Sequence, residues 1–290
     1  MIIVALRGGL GNQLFQYALG RKLAVKNNDT LKLDTTGLLK ANEVGDIYRP
    51  FALDAFNIKA TVASTEESAR FKNPYGLLSK LMRRFRFKVL RQQYVGWIPS
   101  ILKKRGDIYL DGYWQSPKYF EDIRSTIVED FTLKNGLSSV AQSIADQMKN
   151  SNSVSLHVRR GDYVSNKSVA ASYGPCTPAY YEAAIATITE KVPNPTWFIF
   201  SDDTAWVKES LSFTGEVVYV SDQKLTDQEE ILLMASCKHN VIANSTFSWW
   251  GAWLNQNPEK IVIVPDPWFD TRPQDHAHLI PDSWIRVPKK

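Results

Sequence analysis

The stretch Ser155-Leu156-His157-Val158-Arg159-Arg160-Gly161-Asp162-Tyr163 decides how the second half of this 290-residue chain reads. From Ser153 to Val158 every second residue is apolar (Val154, Leu156, Val158), the period of a strand. The run then breaks into two arginines, a glycine and an aspartate. Loops at the carboxyl ends of strands are where open α/β sheets bind ligands. Two guanidiniums there can form forked, charge-assisted bonds to phosphate or carboxylate oxygens, and Gly161 allows a close backbone approach. The expectation is a loop that holds the negative charge of a phosphorylated substrate. Taken alone, Arg-Arg-Gly-Asp reads as a solvated strand end with surface ion pairs. Its company along the chain lifts it above that.

Downstream, strands expected at 196–200, 216–220, 239–243 and 260–264 alternate with helices near 178–190, 204–210, 227–236 and 246–256. That rhythm predicts an α/β unit with a parallel sheet and helices on both faces. Three polar segments directly follow strands: His157 to Asp162, Ser201-Asp202-Asp203, and Asn244-Ser245-Thr246-Phe247-Ser248-Trp249-Trp250. In a parallel sheet such ends line one crevice. Ser245 or Asn244 suits a helix N-cap, whose free amides can bond a phosphate. The aspartates can accept from a base or a ribose, so the set reads as a nucleotide-diphosphate pocket. No Asp-x-Asp occurs in the chain, and neighbouring carboxylates on extended backbone point to opposite sides. The expected site therefore uses arginines and a helix terminus where other enzymes place a divalent cation, with no metal and no cofactor. Phe247, Trp250 and Leu254 share a helical face and read as core, whereas Trp249 points elsewhere.

The amino-terminal end opens as strand (Ile2 to Leu6), turn (Gly8-Gly9-Leu10-Gly11), helix (Asn12 to about Lys26) and strand (Leu31 to Asp34). Gly9-x-Gly11 with Asp34 raises a rival reading, an NAD(P)- or flavin-dependent oxidoreductase. The third glycine of that fingerprint is replaced by Leu14. A glycine turn before a helix suits an anion or a sugar in any case, and Asn12 can equally be a simple cap. Further on, Ile108 to Gln115 reads as a strand running into a loop with an acid, two aromatics and an amide. Asp111, Tyr113, Trp114 and Gln115 suit a sugar ring, although a Tyr-Trp pair is more often core. Helices are expected at 118–128 and 138–149, and the Asn150–Ser153 run reads as a linker. The domains expected are 1–150, 151–265, and a tail, 266–290, packing irregularly back across the body.

Composition is that of an ordinary globular protein, 44% hydrophobic and 22% charged. The net charge of +5 is concentrated: of 35 Lys and Arg, eleven fall between Arg70 and Arg105, a segment without a single Asp or Glu. Within it Leu78, Leu81, Met82, Phe85 and Val89 fall near helical spacing, which suits either a surface helix or peripheral contact with an anionic membrane. No nucleic-acid-binding motif accompanies the patch, and no apolar run approaches a membrane span. Cys176 and Cys237 have no metal-type spacing, so a reduced, cytoplasmic setting is expected, with any membrane contact at the inner face. The nine tryptophans and the basic segment also allow a non-catalytic glycan- or membrane-binding module.

Four motifs in order, Gly8 to Tyr17, His157 to Tyr163, Phe200 to Asp203 and Asn244 to Trp250, resemble the bacterial α-1,2-fucosyltransferases of glycosyltransferase family 11, and Gly112 to Ser116 fits as well. The resemblance spans nearly the whole chain and is weakest over 70–105. It implies a GT-B-like pair of Rossmann-type domains with parallel sheets facing across a cleft. It also implies GDP-L-fucose as donor, a β-galactoside as acceptor, inversion at the fucose anomeric carbon, and a place in surface polysaccharide or O-antigen synthesis. By the same resemblance Arg159 meets the β-phosphate beside Arg160, and His157 lies near the nucleoside. Asp202 or Asp203 meets the guanine edge, Ser245, Thr246 and Phe247 contact the diphosphate, and Asn12 reaches the donor. The general base stays open, with Asp162 one candidate and Asp111 another.

Overall fold

The computed structural model describes residues 1–38, 49–72, 87–92, 96–166, 170–171, 173–271 and 278–290. The chain divides into two compact units, Met1–Lys134 and Asn135–Lys290.

The first unit carries β1 (Ile2–Ala5), β2 (Leu31–Asp34), β3 (Thr61–Val62), β4 (Phe87–Arg91) and β5 (Asp107–Asp111) in the order β3-β2-β1-β5-β4. Every pairing is parallel. β1 is buried throughout, as expected of an apolar strand covered on both faces. The helix Leu10–Asn27 makes the first crossover and ends on Asn28 in the left-handed conformation, a common helix stop. Gly20 lets it close on the sheet, since a Cβ there would lie 2.4 Å from Val4.

Two expectations for this unit need correction. The span 118–128 is not one helix: two 3-10 turns, Pro117–Tyr119 and Glu121–Ile123, precede the helix Arg124–Asp130. Between the turns Phe120 leaves helical geometry (φ −141°) and buries its ring 6.0 Å from Phe15. The tertiary anchor overrides the local pattern. Of the basic stretch read as a helix, Leu78 to Phe85 lies outside the described residues, and Val89 is in strand β4, opposite Tyr109.

The second unit holds β6 (Asn152–Val158), β7 (Pro195–Ser201), β8 (Val217–Tyr219), β9 (His239–Val241), β10 (Val262–Asp266) and β11 (Ile285–Pro288). They form a parallel sheet in the order β11-β10-β9-β6-β7-β8. The helix Ser139–Lys149 belongs here: its cap Ser138 accepts from Ala141 and donates its own N–H to Glu229 at 2.9 Å. The division therefore falls at 134/135, ahead of the Asn150–Ser153 run, whose last two residues are already in β6. The tail is not irregular throughout, because β11 adds a parallel strand beside β10. Trp249 is core after all: it is fully buried, donates from Nε1 to Leu279 at 3.0 Å, and clusters with Trp250, Trp253 and Trp284.

In the second sheet the chain reverses its direction of winding once, between β6 and β9; in the first it leaves β1 towards β3, crosses to the far edge at β4 and returns to place β5 beside β1. Carboxyl-end loops diverge at a winding reversal and leave a crevice. The singled-out motifs follow β1, β5, β6, β7 and β9.

Candidate active site

Strand register explains how Arg159 meets Asp202. Val158 pairs with Ser201 in the β6–β7 ladder, so the next residue of each strand emerges side by side. The Arg159 guanidinium lies 2.9 Å from Asp202 Oδ2, while Asp202 Oδ1 accepts the Arg160 backbone N–H at 2.8 Å. Arg160 in turn donates from Nε to Asp203 Oδ2 at 3.0 Å and lies over the Trp206 ring at 4.3 Å. Asp203 Oδ1 caps the helix Thr204–Ser210 by accepting from Trp206 at 3.1 Å. Its carboxyl is held below the ordinary range by that amide bond and then by Arg160. Gly161 closes the arrangement, because a Cβ there would sit 2.6 Å from Asp202 Oδ2. The two aspartates are thus engaged in aiming the arginines. Asp162 lies in the short helix Gly161–Ser165, and its side chain is outside the described residues.

The loop after β9 shares this edge. Ser245 caps the helix Thr246–Leu254, its hydroxyl accepting from Phe247 at 3.3 Å. The His157 ring lies 5.6 Å from that of Phe247, and the Tyr163 hydroxyl donates to the Asn244 carbonyl at 3.0 Å, so the arginine loop and the helix start are joined. Asn244 has a different task from the one expected. Its buried amide donates to the carbonyls of Tyr173, Gly174 and Trp268 at 2.9–3.1 Å, which makes it a bracket for the loop and occupies both its protons. His157 is buried, and its Nδ1 has no hydrogen-bond partner among the described residues. Burial, and then the charge of Arg159, push its imidazolium pKa down to about 3. At physiological pH it is a neutral hydrogen-bonding group, with no proton to trade in this range.

Glu230 was not foreseen. It lies in the helix Asp227–Ser236, accepts from Ser221, and is close enough to Asp202 and Asp227 for their charges to raise its pKa further. Burial is the main cause, bringing it to about 7. Ser221 also accepts the Ser201 N–H at 3.0 Å, so Glu230 adjoins the end of β7. Reading only the residues that directly follow strands misses an acid on the next helix; the helix-start cluster Asp227, Glu229, Glu230 was the available signal.

In the first unit Gln13 and Gln16, both fully buried, staple the glycine turn: Gln13 donates to Gly8 and Pro50, and Gln16 exchanges bonds with the Arg7 backbone. Gly8 has φ +73°, and a Cβ there would meet Asn12 at 2.5 Å. The Asn12 Oδ1 accepts from Gln115 Nε2 at 2.8 Å, which brings the motifs after β1 and β5 together. Asp111 pairs with Arg7 at 2.6 Å and Arg91 at 3.4 Å. Tyr113 is exposed, but Trp114 is fully buried with φ +55° and is no platform for a sugar. Gln92 holds this turn by accepting from both their backbone amides. Asp34 accepts from Tyr109 and Thr36 and is buried, so it has no ribose to meet. That removes the acid on which the dinucleotide reading relied.

Among the described residues no cluster of three or more His, Cys, Asp or Glu side chains is arranged to hold a metal ion, and no helix is long and apolar enough to cross a membrane.

Comparison with known proteins agrees with these motifs. The model for glycosyl transferase family 11 matches residues 1–287. An α-1,2-colitosyltransferase of Escherichia coli is 36% identical, with 100% of this chain and 99% of that protein covered. The O-antigen biosynthesis glycosyltransferase WbnK of E. coli is 31% identical, covering 97% and 99%. The galactoside 2-α-L-fucosyltransferase Sec1 of Mus musculus is 26% identical, covering 99% and 74%. Among solved structures, a variant of Arabidopsis thaliana FUT1 in complex with GDP superposes with TM-score 0.50 at 12% identity, covering 90% of this chain and 69% of that one. That likeness concerns the fold, an α/β arrangement of the GT-B kind.

Proposed function

The chain belongs to glycosyl transferase family 11, and from that premise we propose that it transfers L-fucose from GDP-L-fucose to the 2-hydroxyl of a terminal β-galactoside, with inversion and without a metal ion. The acceptor is the galactose end of a surface polysaccharide such as an O-antigen. The observation that carries the reading is the pair of arginines clamped by Asp202 and Asp203 on the sheet edge that also bears the capped helix start at Ser245.

Breaking a sugar–diphosphate bond leaves a cationic sugar carbon and a departing polyanion. Preorganised guanidiniums and helix-start amides stabilise that leaving charge, and losing one such donor typically costs about 100- to 1,000-fold in rate. They take the place of a divalent cation. Glu230, with a carboxyl near its midpoint at neutral pH and no cation paired with it in the bonds described, suits the N1–H and N2–H donors of a guanine edge. Neutral His157 supplies a further hydrogen bond to the nucleoside side. The acceptor hydroxyl attacks from the face opposite the leaving group, and a largely dissociative reaction needs little help from a base.

A second reading changes only the donor sugar. The α-1,2-colitosyltransferase relative names colitose as the sugar it transfers, and colitose is fucose lacking its 3-hydroxyl, the natural competitor. A site that hydrogen-bonds that hydroxyl rejects the deoxy donor by about 10⁴- to 10⁵-fold, whereas a site that merely shapes an apolar pocket discriminates by about 100-fold. Purified protein with GDP-fucose and lactose should release GDP in the presence of EDTA. Turnover only with the colitose donor, or only with added metal, would replace the donor or the mechanism.

A further inference from the structure

We propose that Lys289 is a positioning residue for the donor site, its ammonium fixing the turn at Tyr173–Gly174 that holds Asn244 ahead of the helix Thr246–Leu254. The proposal rests on the donor-site reading above.

Lysine is seldom fully buried unless paired, yet Lys289 has no exposed surface. Its Nζ donates to the Tyr173 carbonyl at 2.6 Å and forms an ion pair with Asp270. Its backbone is stitched on both sides: the N–H donates to Asp266 at 2.9 Å, and the carbonyl accepts from the Thr177 amide and hydroxyl at 3.2 and 2.9 Å. The same Tyr173 carbonyl accepts from Asn244 Nδ2 at 2.9 Å. One oxygen therefore links the lysine to the residue that begins the Asn244–Phe247 turn. Asp270 is pressed against Gly174 so closely that a Cβ there would lie 2.2 Å from its Oδ2.

A second route leads to the arginine loop. The Tyr173 ring packs at a tilt against Tyr163 at 5.3 Å and edge-on against Phe269 at 5.2 Å. Tyr163 donates to the Asn244 carbonyl, and its ring lies 5.9 Å from the Arg159 guanidinium carbon. Through one turn, Lys289 supports both the cation and the helix start.

Two variants separate positioning from simple stability. Lys289→Met leaves Asp270 with the exposed Lys290, 2.6 Å from its Oδ2, as its cation partner, and losing the buried member of such a set is destabilising. The double variant Lys289→Met/Asp270→Asn removes the half-compensated carboxylate as well, so its melting temperature should recover towards wild type. The Tyr173 carbonyl is still unheld, and the donor KM should stay raised by about 10- to 100-fold in both variants, with acceptor KM unchanged. A donor KM that recovers together with the melting temperature, or an acceptor KM that moves equally, overturns the inference. Wild-type protein that turns over no GDP-sugar overturns the donor reading and this proposal with it. Wild-type turnover with unaltered donor KM in both variants overturns this proposal alone.

Discussion

Arg159 and Asp202 stand side by side at the ends of neighbouring parallel strands, guanidinium to carboxylate at 2.9 Å, with the second carboxylate oxygen on the Arg160 amide. The pair exists because Val158 and Ser201 are in register. Asp202 fixes where the cation points before any ligand arrives. Arg159→Ala should lower kcat by about 100- to 1,000-fold with an unchanged far-UV circular dichroism spectrum. Near-normal turnover would remove the arginine from the chemistry.

Gly161 is the tolerance point of that pair. Alanine there would place a methyl 2.6 Å from Asp202 Oδ2, so the carboxylate or the loop must move. Gly161→Ala should reduce kcat/KM by about 10- to 100-fold, the order of loss expected for misplacement by about 1 Å. Melting temperature should shift little, and steady-state kinetics beside a thermal scan will show whether the two part company.

Glu230 gives a pH signature. Its carboxyl titrates at about 7, raised by burial and by Asp227 and Asp202, and only the ionised form accepts from both guanine donors at once. GDP affinity should therefore rise with pH, by about tenfold between pH 6 and 8, following the ionised fraction. Stability of the free protein should run the other way. A carboxyl whose folded pKa is raised favours the fold most below its unfolded value, and that contribution is lost as pH rises through 7. Glu230→Gln should flatten both profiles. An unchanged pH dependence of GDP binding in that variant would sink the assignment.

In the first unit the hydrogen bond from Gln115 to Asn12 joins the segments that follow the adjacent strands β5 and β1. Gln115→Ala should slow transfer by roughly the factor of ten or so that a lost hydrogen bond of about 1.4 kcal/mol implies. Because both residues lie outside the Asn135–Lys290 unit, the Kd for GDP should stay at its wild-type value. A parallel fall in GDP affinity would show that this loop serves the nucleotide.

Much of this was legible in the sequence because strand alternation and post-strand polar motifs are local signals. The alternation from Val154 onward predicts the parallel sheet, and the motifs after β6, β7 and β9 do share one edge. What escaped depends on partners distant in the chain. Asn244 reads as a ligand until Tyr173, Gly174 and Trp268 are seen to claim its amide. Trp114 reads as a sugar platform until the turn buries it with φ +55°. Glu230 looks like any helix-start acid until Ser221 and Asp202 surround it. The tail looked irregular because β11 is four residues long and its partner β10 lies well upstream.

Calorimetric titration of EDTA-treated protein with GDP tests the central claim most directly, that arginines and a helix start hold the diphosphate without a metal. The account predicts one GDP per chain, unaffected by chelator and clearly weakened in Arg159→Ala. Binding that requires added magnesium, or an Arg159→Ala variant that binds like wild type, would contradict it.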